Sequence, residues 1–371
     1  MSARVLVSQG WFKHSLGMVR HLAKQGYEMY ALSEPGTEPL VSHSKACRGV
    51  FPVPQKEEEP FVEGLLKVLD NNPMDVFIPV GFPVTRFTCL NEERVGALAA
   101  LAIPTAHQEQ MAGDKFVSNL LAIRTGVGAP KTIRISSMEE LEPAGEELGF
   151  PLILKGARET GLGIVARAES PESLRQTYED LMERFGLTRP EDWPLLQEFI
   201  PGWGCGFFAT YDKGECKRVF MHRRVREYPA TGGASCCAES FRDPELERSG
   251  RALLDELNWH GVAMVEFRFD ERDKQFKLIE INPKFWGSLE LALAAGADFA
   301  SDYVRLAQGE ELQFTDQYKK IRFQWPLDGD FQHARAVPSR AFAILGDFLN
   351  PAVANNIPWD EPALVKKRLA R

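Results

Sequence analysis

No apolar run in this chain approaches the ~18 residues that a membrane span requires. The opening MSARVLVSQGWFKHS has one basic residue ahead of a short apolar run that is broken by Ser8, Gln9 and Gly10. That is the pattern of a first strand, not of a signal peptide. Cysteine is sparse: six in 371 residues, with Cys236 and Cys237 adjacent and no CxxC pair. A disulfide framework is therefore excluded, and free thiols in a reducing cytoplasm are expected. The seven histidines form no HExxH or zinc-finger spacing, so no zinc site is expected. A basic surplus is also missing, with 44 Lys plus Arg against 52 Asp plus Glu and a net charge of −8. Proteins that grip polyanions usually carry the opposite balance, so nucleic acid is a poor partner. Finally, no GxGxxG follows the first strand and no GxxxxGK[ST] occurs anywhere, which removes the dinucleotide fingerprint and the P-loop.

What remains is the composition of an ordinary folded protein, 44% hydrophobic and 26% charged, with length for two or three domains. Arg4 to Gly10, Glu28 to Leu32 and Asp75 to Gly81 read as strands, with the helical patterns MVRHLAKQGYEMYAL and FVEGLLKVLDNN between them. Strands alternating with helices predict a small parallel sheet covered by helices. Asp114 caps a helix running to Gly126, and Ser136 and Ser137 precede another near Met138 to Leu148. Strand, loop, strand and helix follow, then the strand-like PLLQEFIPG, KRVFMHRRVREYP, VAMVEFRFD and KLIEINP. The last sixty or so residues mix a strand-like IRFQW with AFAILGDFLNP and are assigned only loosely.

Several stretches carry polar residues where a buried strand should not. In LIEINPKFWGS, Glu280 and Asn282 share one strand face, and Ile279 and Ile281 share the other. Two oxygen donors side by side suit a hard cation such as Mg2+; a strand end meeting water is the plainer alternative. Glu266 sits in an otherwise apolar strand, where an ionised carboxylate is costly unless paired or metal-bound. If the two strands form a hairpin through the polar ERDKQ, Glu266 and Glu280 come together. Lys155 ends an apolar strand ahead of Gly156, Gly161 and Gly163, a loop able to approach an anion or simply to turn a hairpin. Gln197, Glu198, Phe199 and Ile200 form a strand entering a turn, suited to an adenine edge or to nothing in particular. Arg224 and Arg226 alternate on one strand face with His222, as a phosphate or carboxylate clamp or as a charged surface. Trp11 to Ser15 (WFKHS), Phe285, Trp286 and the TGGAS loop (Thr231 to Ser235) are candidates for a substrate pocket, although aromatic residues are more often core.

The order of these signals resembles the ATP-grasp superfamily, in its carbamoyl-phosphate-synthetase-like branch of carboxylate–amine ligases. The resemblance covers roughly Asp114 to Gly309, and its most specific piece is Glu280, Asn282, Pro283 and Lys284. It implies an α/β (α+β grasp) fold. A Rossmann-like pre-ATP-grasp domain over 1–112 would precede a small lobe over 113–195 and a large, metal-bearing lobe over 196–310, with a C-terminal extension over 311–371. It implies phosphate contacts by Lys115 and Lys155, a mobile loop at Thr160, Gly161, Leu162 and Gly163, and an adenine hinge at Gln197, Glu198, Phe199 and Ile200. Glu266, Glu280 and Asn282 match the family's Mg2+ ligands, with Mn2+ a possible substitute. Arg224, Arg226 and Lys284 would act where phosphate and substrate meet. The expected activity is ATP-dependent activation of a small carboxylate as an acyl phosphate and its transfer to an amine, in a cytoplasmic enzyme, by family analogy a homodimer. A non-catalytic ATP-binding module and a same-fold ligase with a non-amine nucleophile are the alternatives. The sequence departs from the family after the hinge, where GWGCGF puts Cys205 near the place of a ribose-binding acid.

Overall fold

The computed structural model describes residues 2–160, 163–230 and 232–369. Strand β1 (Arg4–Val7) has Val5, Leu6 and Val7 all fully buried, as expected of a strand covered on both faces. It pairs in parallel with β2 (Glu28–Ser33), which pairs with β3 (Cys47–Pro52), and on its other side with β4 (Val76–Ile78). The resulting four-stranded sheet has the order β3-β2-β1-β4. The helix Lys13–Lys24 joins β1 to β2 and begins ahead of the apolar MVRHLAK pattern; it buries Leu16, Met18, Val19 and Leu22. Strand β3 (CRGVFP) lacks apolar alternation, because it lies at the sheet edge with no residue fully buried.

The second sheet is antiparallel. It contains β5 (Thr132–Ile133), β6 (Leu152–Lys155), β7 (Val165–Ala168) and β8 (Leu195–Glu198), in the order β5-β8-β6-β7. The helices Leu141–Leu148 and Pro171–Phe185 cover it, burying Leu141, Leu174 and Tyr178 against Leu152, Leu154 and Leu196. Ser170 forms a capping box at the start of the longer helix, followed by a proline in its first turn, a good entry for a helix.

The third sheet has seven strands: β9 (Gly202–Asp212), β10 (Glu215–Tyr228), β11 (Ala234–Ser240), β12 (Gly261–Asp270), β13 (Gln275–Asn282), β14 (Arg322–Gln324) and β15 (Val353–Asn355), in the order β13-β12-β9-β10-β11-β14-β15. The hairpin expected from ERDKQ forms between β12 and β13. The last two strands come from the C-terminal tail, which therefore completes this sheet. One apolar cluster, including Val5, Met18, Phe220, Trp286 and Tyr303, runs from the parallel sheet into the large one. Asp114 accepts hydrogen bonds from the backbone N–H groups of Phe116 and Val117, which fixes the start of the helix Lys115–Arg124.

Candidate active site

A cavity of about 420 Å³ opens between the second and third sheets. Its base is the β12–β13 hairpin. Glu266 lies directly opposite Glu280, and Met264 opposite Asn282, so the two carboxylates project from the same face. The ladder shifts register just after Glu266, a bulge of the kind that re-aims a side chain. Both carboxylates are held by cations of the chain itself. Glu266 Oε1 lies 2.7 Å from an Arg224 nitrogen. Glu280 Oε1 accepts a 2.7 Å bond from Asn282 Nδ2, and its Oε2 is 3.4 Å from Lys115 Nζ.

Burial raises the Glu266 carboxyl above its ordinary range, and the like charge of Glu280 adds to this against the pull of Arg224. For Glu280 burial acts the same way, but Lys115, the Asn282 bond and Lys155 outweigh it, so its carboxyl is lowered. Lys115 is raised: burial opposes its charge, but Glu280 and Glu159 overcome it. Lys155 is buried, donates to the Ile279 carbonyl at 2.9 Å, and is lowered to about 7 by burial and by Lys115.

Thr160 and Gly163 line the cavity; Gly163 has φ +62, a left-handed conformation that favours glycine. Gly161 and Leu162 fall outside the described residues, as does Thr231 of TGGAS. Gln197, Glu198, Phe199 and Ile200 form part of the opposite wall. The Arg167 guanidinium sits 4.4 Å from the Phe199 ring centroid.

Known proteins resemble this chain in sequence and in fold. Residues 238–315 match the family model "Carbamoyl-phosphate synthase L chain, ATP binding domain". Over 190 residues the chain is 26% identical to the N-terminal section of the carbamoyl phosphate synthase large chain of Methanopyrus kandleri, covering 48% of this chain and 32% of that protein. Over 193 residues it is 34% identical to the D-alanine–D-alanine ligase of Methylococcus capsulatus, covering 50% of this chain and 62% of the ligase. The chain thus spans about a third of the first relative and under two thirds of the second. The biotin carboxylase domain of Hydrogenobacter thermophilus 2-oxoglutarate carboxylase, solved with MgADP and bicarbonate, superposes with a TM-score of 0.70 at 16% identity, over 86% of this chain and 73% of that one. In sequence over part of its length, and in fold, this chain is similar to ATP-grasp proteins.

Within the ATP-grasp fold, three expected positions depart from the sequence reading. Arg226 does not reach the cavity. Its Nε and Nη2 donate to Asp330 and its Nη1 to Asp347, at 2.7, 2.7 and 2.6 Å. The cause is local: the ladder to β11 shifts register on both sides of Arg226, so strict alternation fails there. Arg224 and Glu227, which a regular strand would put on opposite faces, instead both line the cavity and pair at 3.1 Å. Lys284 also stands off the cavity wall. The chain turns at Pro283, and the Lys284 ammonium lies 5.4 Å from the Phe82 ring, though its charge still helps to lower Glu280. Asn282 is buried and acts on Glu280, without lining the cavity.

Sequence reasoning missed Arg158, Glu159, Glu227 and Arg268 on the cavity wall. Glu159 was the most accessible of these, since it follows Lys155 in the same glycine loop. Cys205 is buried with the core, and Gly204 takes its place at the wall.

The donor set fits Mg2+. Two opposed carboxylates are present, and among the described residues no group of three His, Cys, Asp or Glu could hold an ion alone. Magnesium commonly takes one or two carboxylates and completes its shell with phosphate oxygens and water.

Proposed function

We propose that the chain is an ATP-dependent ligase that activates a carboxylate as an acyl phosphate and joins it to an amine. The observation that carries this reading is the Glu266–Glu280 pair facing a cavity that also holds Lys115 and Lys155. Two buried acids side by side need cationic partners; Arg224 and Lys115 serve here, and Mg2+ would share that role with the nucleotide bound.

In this reading the carboxylate oxygen attacks the γ-phosphorus and the bond to the β–γ bridging oxygen breaks, releasing ADP. An amine then attacks the acyl carbon, and inorganic phosphate leaves. Glu266 and Glu280, the latter oriented by Asn282, would hold Mg2+, which supplies charge neutralisation across the phosphates. Lys115 and Lys155 bring positive charge to the phosphate oxygens. Phe199 and Ile200 pack the adenine, with backbone groups of the hinge at its edge. Gly163 lets the loop backbone lie close over the phosphates and exclude water. Arg224, which pairs with Glu266 on the cavity wall, would be placed to meet the transferring phosphoryl group. Positioning and charge account for most of the rate, because phosphoryl transfer needs little covalent help. We further assign 1–112 as a Rossmann-like domain preceding the two lobes; its parallel sheet supports this.

The test is ADP release from MgATP across panels of acids and amines, with mass detection of the amide. ADP release that depends on both an acid and an amine is the expected result. Nucleotide binding with no turnover under any combination would favour a sensing module instead.

A further inference from the structure

A second chamber, of about 90 Å³, lies beside the first, and Arg224 and Ala234 contribute to both walls. Lys13 and Arg224 bring positive charge to it, and Ser235 and Ser288 bring hydroxyls. Phe208, Met264 and Trp286 give it an apolar side. Among the described residues no acidic side chain lines it. His222, also on the wall, is buried and lowered to about 3, so it is a neutral ring; its Nε2 meets Ser288 Oγ at 2.7 Å. Two buried ring nitrogens here, His222 Nδ1 and Trp286 Nε1, have no hydrogen-bond partner.

Lys13 is unusual. It opens the helix Lys13–Lys24, which has no side-chain cap and no acid in its first turn. The positive end of that helix adds to the charge of the lysine. Among the described residues the Lys13 ammonium makes no hydrogen bond or ion pair; it rests 4.8 Å from the Trp325 ring. Burial lowers Lys13 against the pull of Asp328 and Glu290; of these acids, Asp328 accepts hydrogen bonds from Asn356 and Arg368, and Glu290 from Trp325 and Asn356. Arg224 is already paired with Glu266 and Glu227, so the chamber's unpaired positive charge is that of Lys13 and the helix end, and among the described residues no acidic side chain lines it to receive an ammonium group. An ammonium group placed there would be desolvated beside like charges.

We propose that this chamber seats the acyl substrate, and that the substrate is a short-chain monocarboxylate without an α-ammonium group, held by Lys13 and Arg224 with its carbon chain against Phe208, Met264 and Trp286. This rests on the ligase reading above for the meaning of "acyl substrate", but not for binding itself. A cavity of about 150 Å³ holds benzene, so this one suits a chain of roughly two to four carbons. Lys13 is then a specificity-determining residue supplied by the N-terminal sheet, and Arg224, common to both walls, places the carboxylate next to the phosphate cavity.

The test uses the full chain with propionate, L-alanine and D-alanine as probes. Binding is followed by tryptophan fluorescence, and ADP release from MgATP, with a panel of amines supplied, is followed in parallel. Propionate is expected to bind at least about tenfold more tightly than either alanine, and Lys13→Met to weaken propionate by about tenfold or more, the loss of one charge-assisted contact. Gly287→Ala covers the case in which Lys13→Met fails to fold. A Cβ added at Gly287 meets only Lys13 Cε, at 3.8 Å, so the variant narrows the chamber without a clash and should shift preference from propionate to acetate. Either alanine binding as tightly as propionate, or propionate binding unaltered in both variants, would overturn the proposal. So would no saturation by propionate at concentrations on the order of tens of millimolar. Propionate binding without ADP release sustains the pocket and removes the ligase reading; ADP release with alanine alone does the reverse.

Discussion

Replacing Arg226 with alanine separates two roles for this residue, and the structure chooses between them. All three nitrogens of its guanidinium are taken by Asp330 and Asp347, and the side chains of Arg226 and Asp330 are 7% and 0% exposed. Removing the arginine strands the Asp330 carboxylate in the interior. Breaking a buried pair in this way costs about 3–5 kcal/mol. Asp347 suffers less, because Arg322 remains 3.2 Å away. With a urea slope of about 2–3 kcal/mol/M, the unfolding midpoint should fall by about 1–2 M. The assay is urea unfolding followed by tryptophan fluorescence, with kcat measured on the folded protein at low temperature. We expect the midpoint to drop and kcat to stay within about threefold of wild type, a change too small for a lost transition-state contact. Combining Arg226→Met with Asp330→Asn should restore most of the stability, since an apolar or neutral replacement of both partners is often tolerated. An unchanged midpoint with kcat reduced about a hundredfold would refute the reasoning and return Arg226 to the reacting phosphate.

Three further outcomes are expected. Glu280→Gln should lower acid-dependent ADP release by about two orders of magnitude or more while thermal unfolding stays near wild type, because a ligand is lost and its shape is kept. ATP binding to the metal-free protein should take up a proton near pH 7–8, because Lys155 sits at about 7 before phosphate arrives. Calorimetry in buffers of different ionisation enthalpy reads this, and Lys155→Met should abolish it. The same group makes stability rise with pH between about 7 and 10.5: there the unfolded lysine holds a proton that the native one lacks. A native-state pH profile that matches that of Lys155→Met would exclude the shift. Gly202→Ala should destabilise by more than about 1–3 kcal/mol in urea unfolding, since Gly202 has φ +126 and an added Cβ would lie 2.0 Å from the Phe269 carbonyl oxygen.

The sequence carried the hairpin and its two acids because alternation is dependable where both strands are regular: Glu266 and Glu280 meet as the ERDKQ turn implies. The same rule failed at Arg226, where two register shifts within three residues exchange the faces of Arg226 and Glu227. A bulge of this kind leaves no mark in residue type. Strand β3 was illegible for another reason, since an edge strand with Arg48 in it needs no apolar pattern. Lys13 was visible only as part of an aromatic stretch. Its importance depends on which acids are already occupied around it, and those acids come from residues 290 and 328, far along the chain. The tail read poorly because its strands are three residues each, too short for a period to develop.

That tail has a practical meaning for anyone wishing to excise the cavity-bearing half as a portable unit. Asp360 and Glu361 grip Arg20 near the chain's beginning, while Asp330 and Asp347 hold Arg226 near the end of β10. Trimming the chain after the helix Phe299–Ala307 would bare the edge of β11 and orphan Arg226 two residues from Arg224. The outermost segment thus acts at a distance as a brace for the arginine on the cavity wall, and shortened versions should be judged by ligand binding as well as by yield.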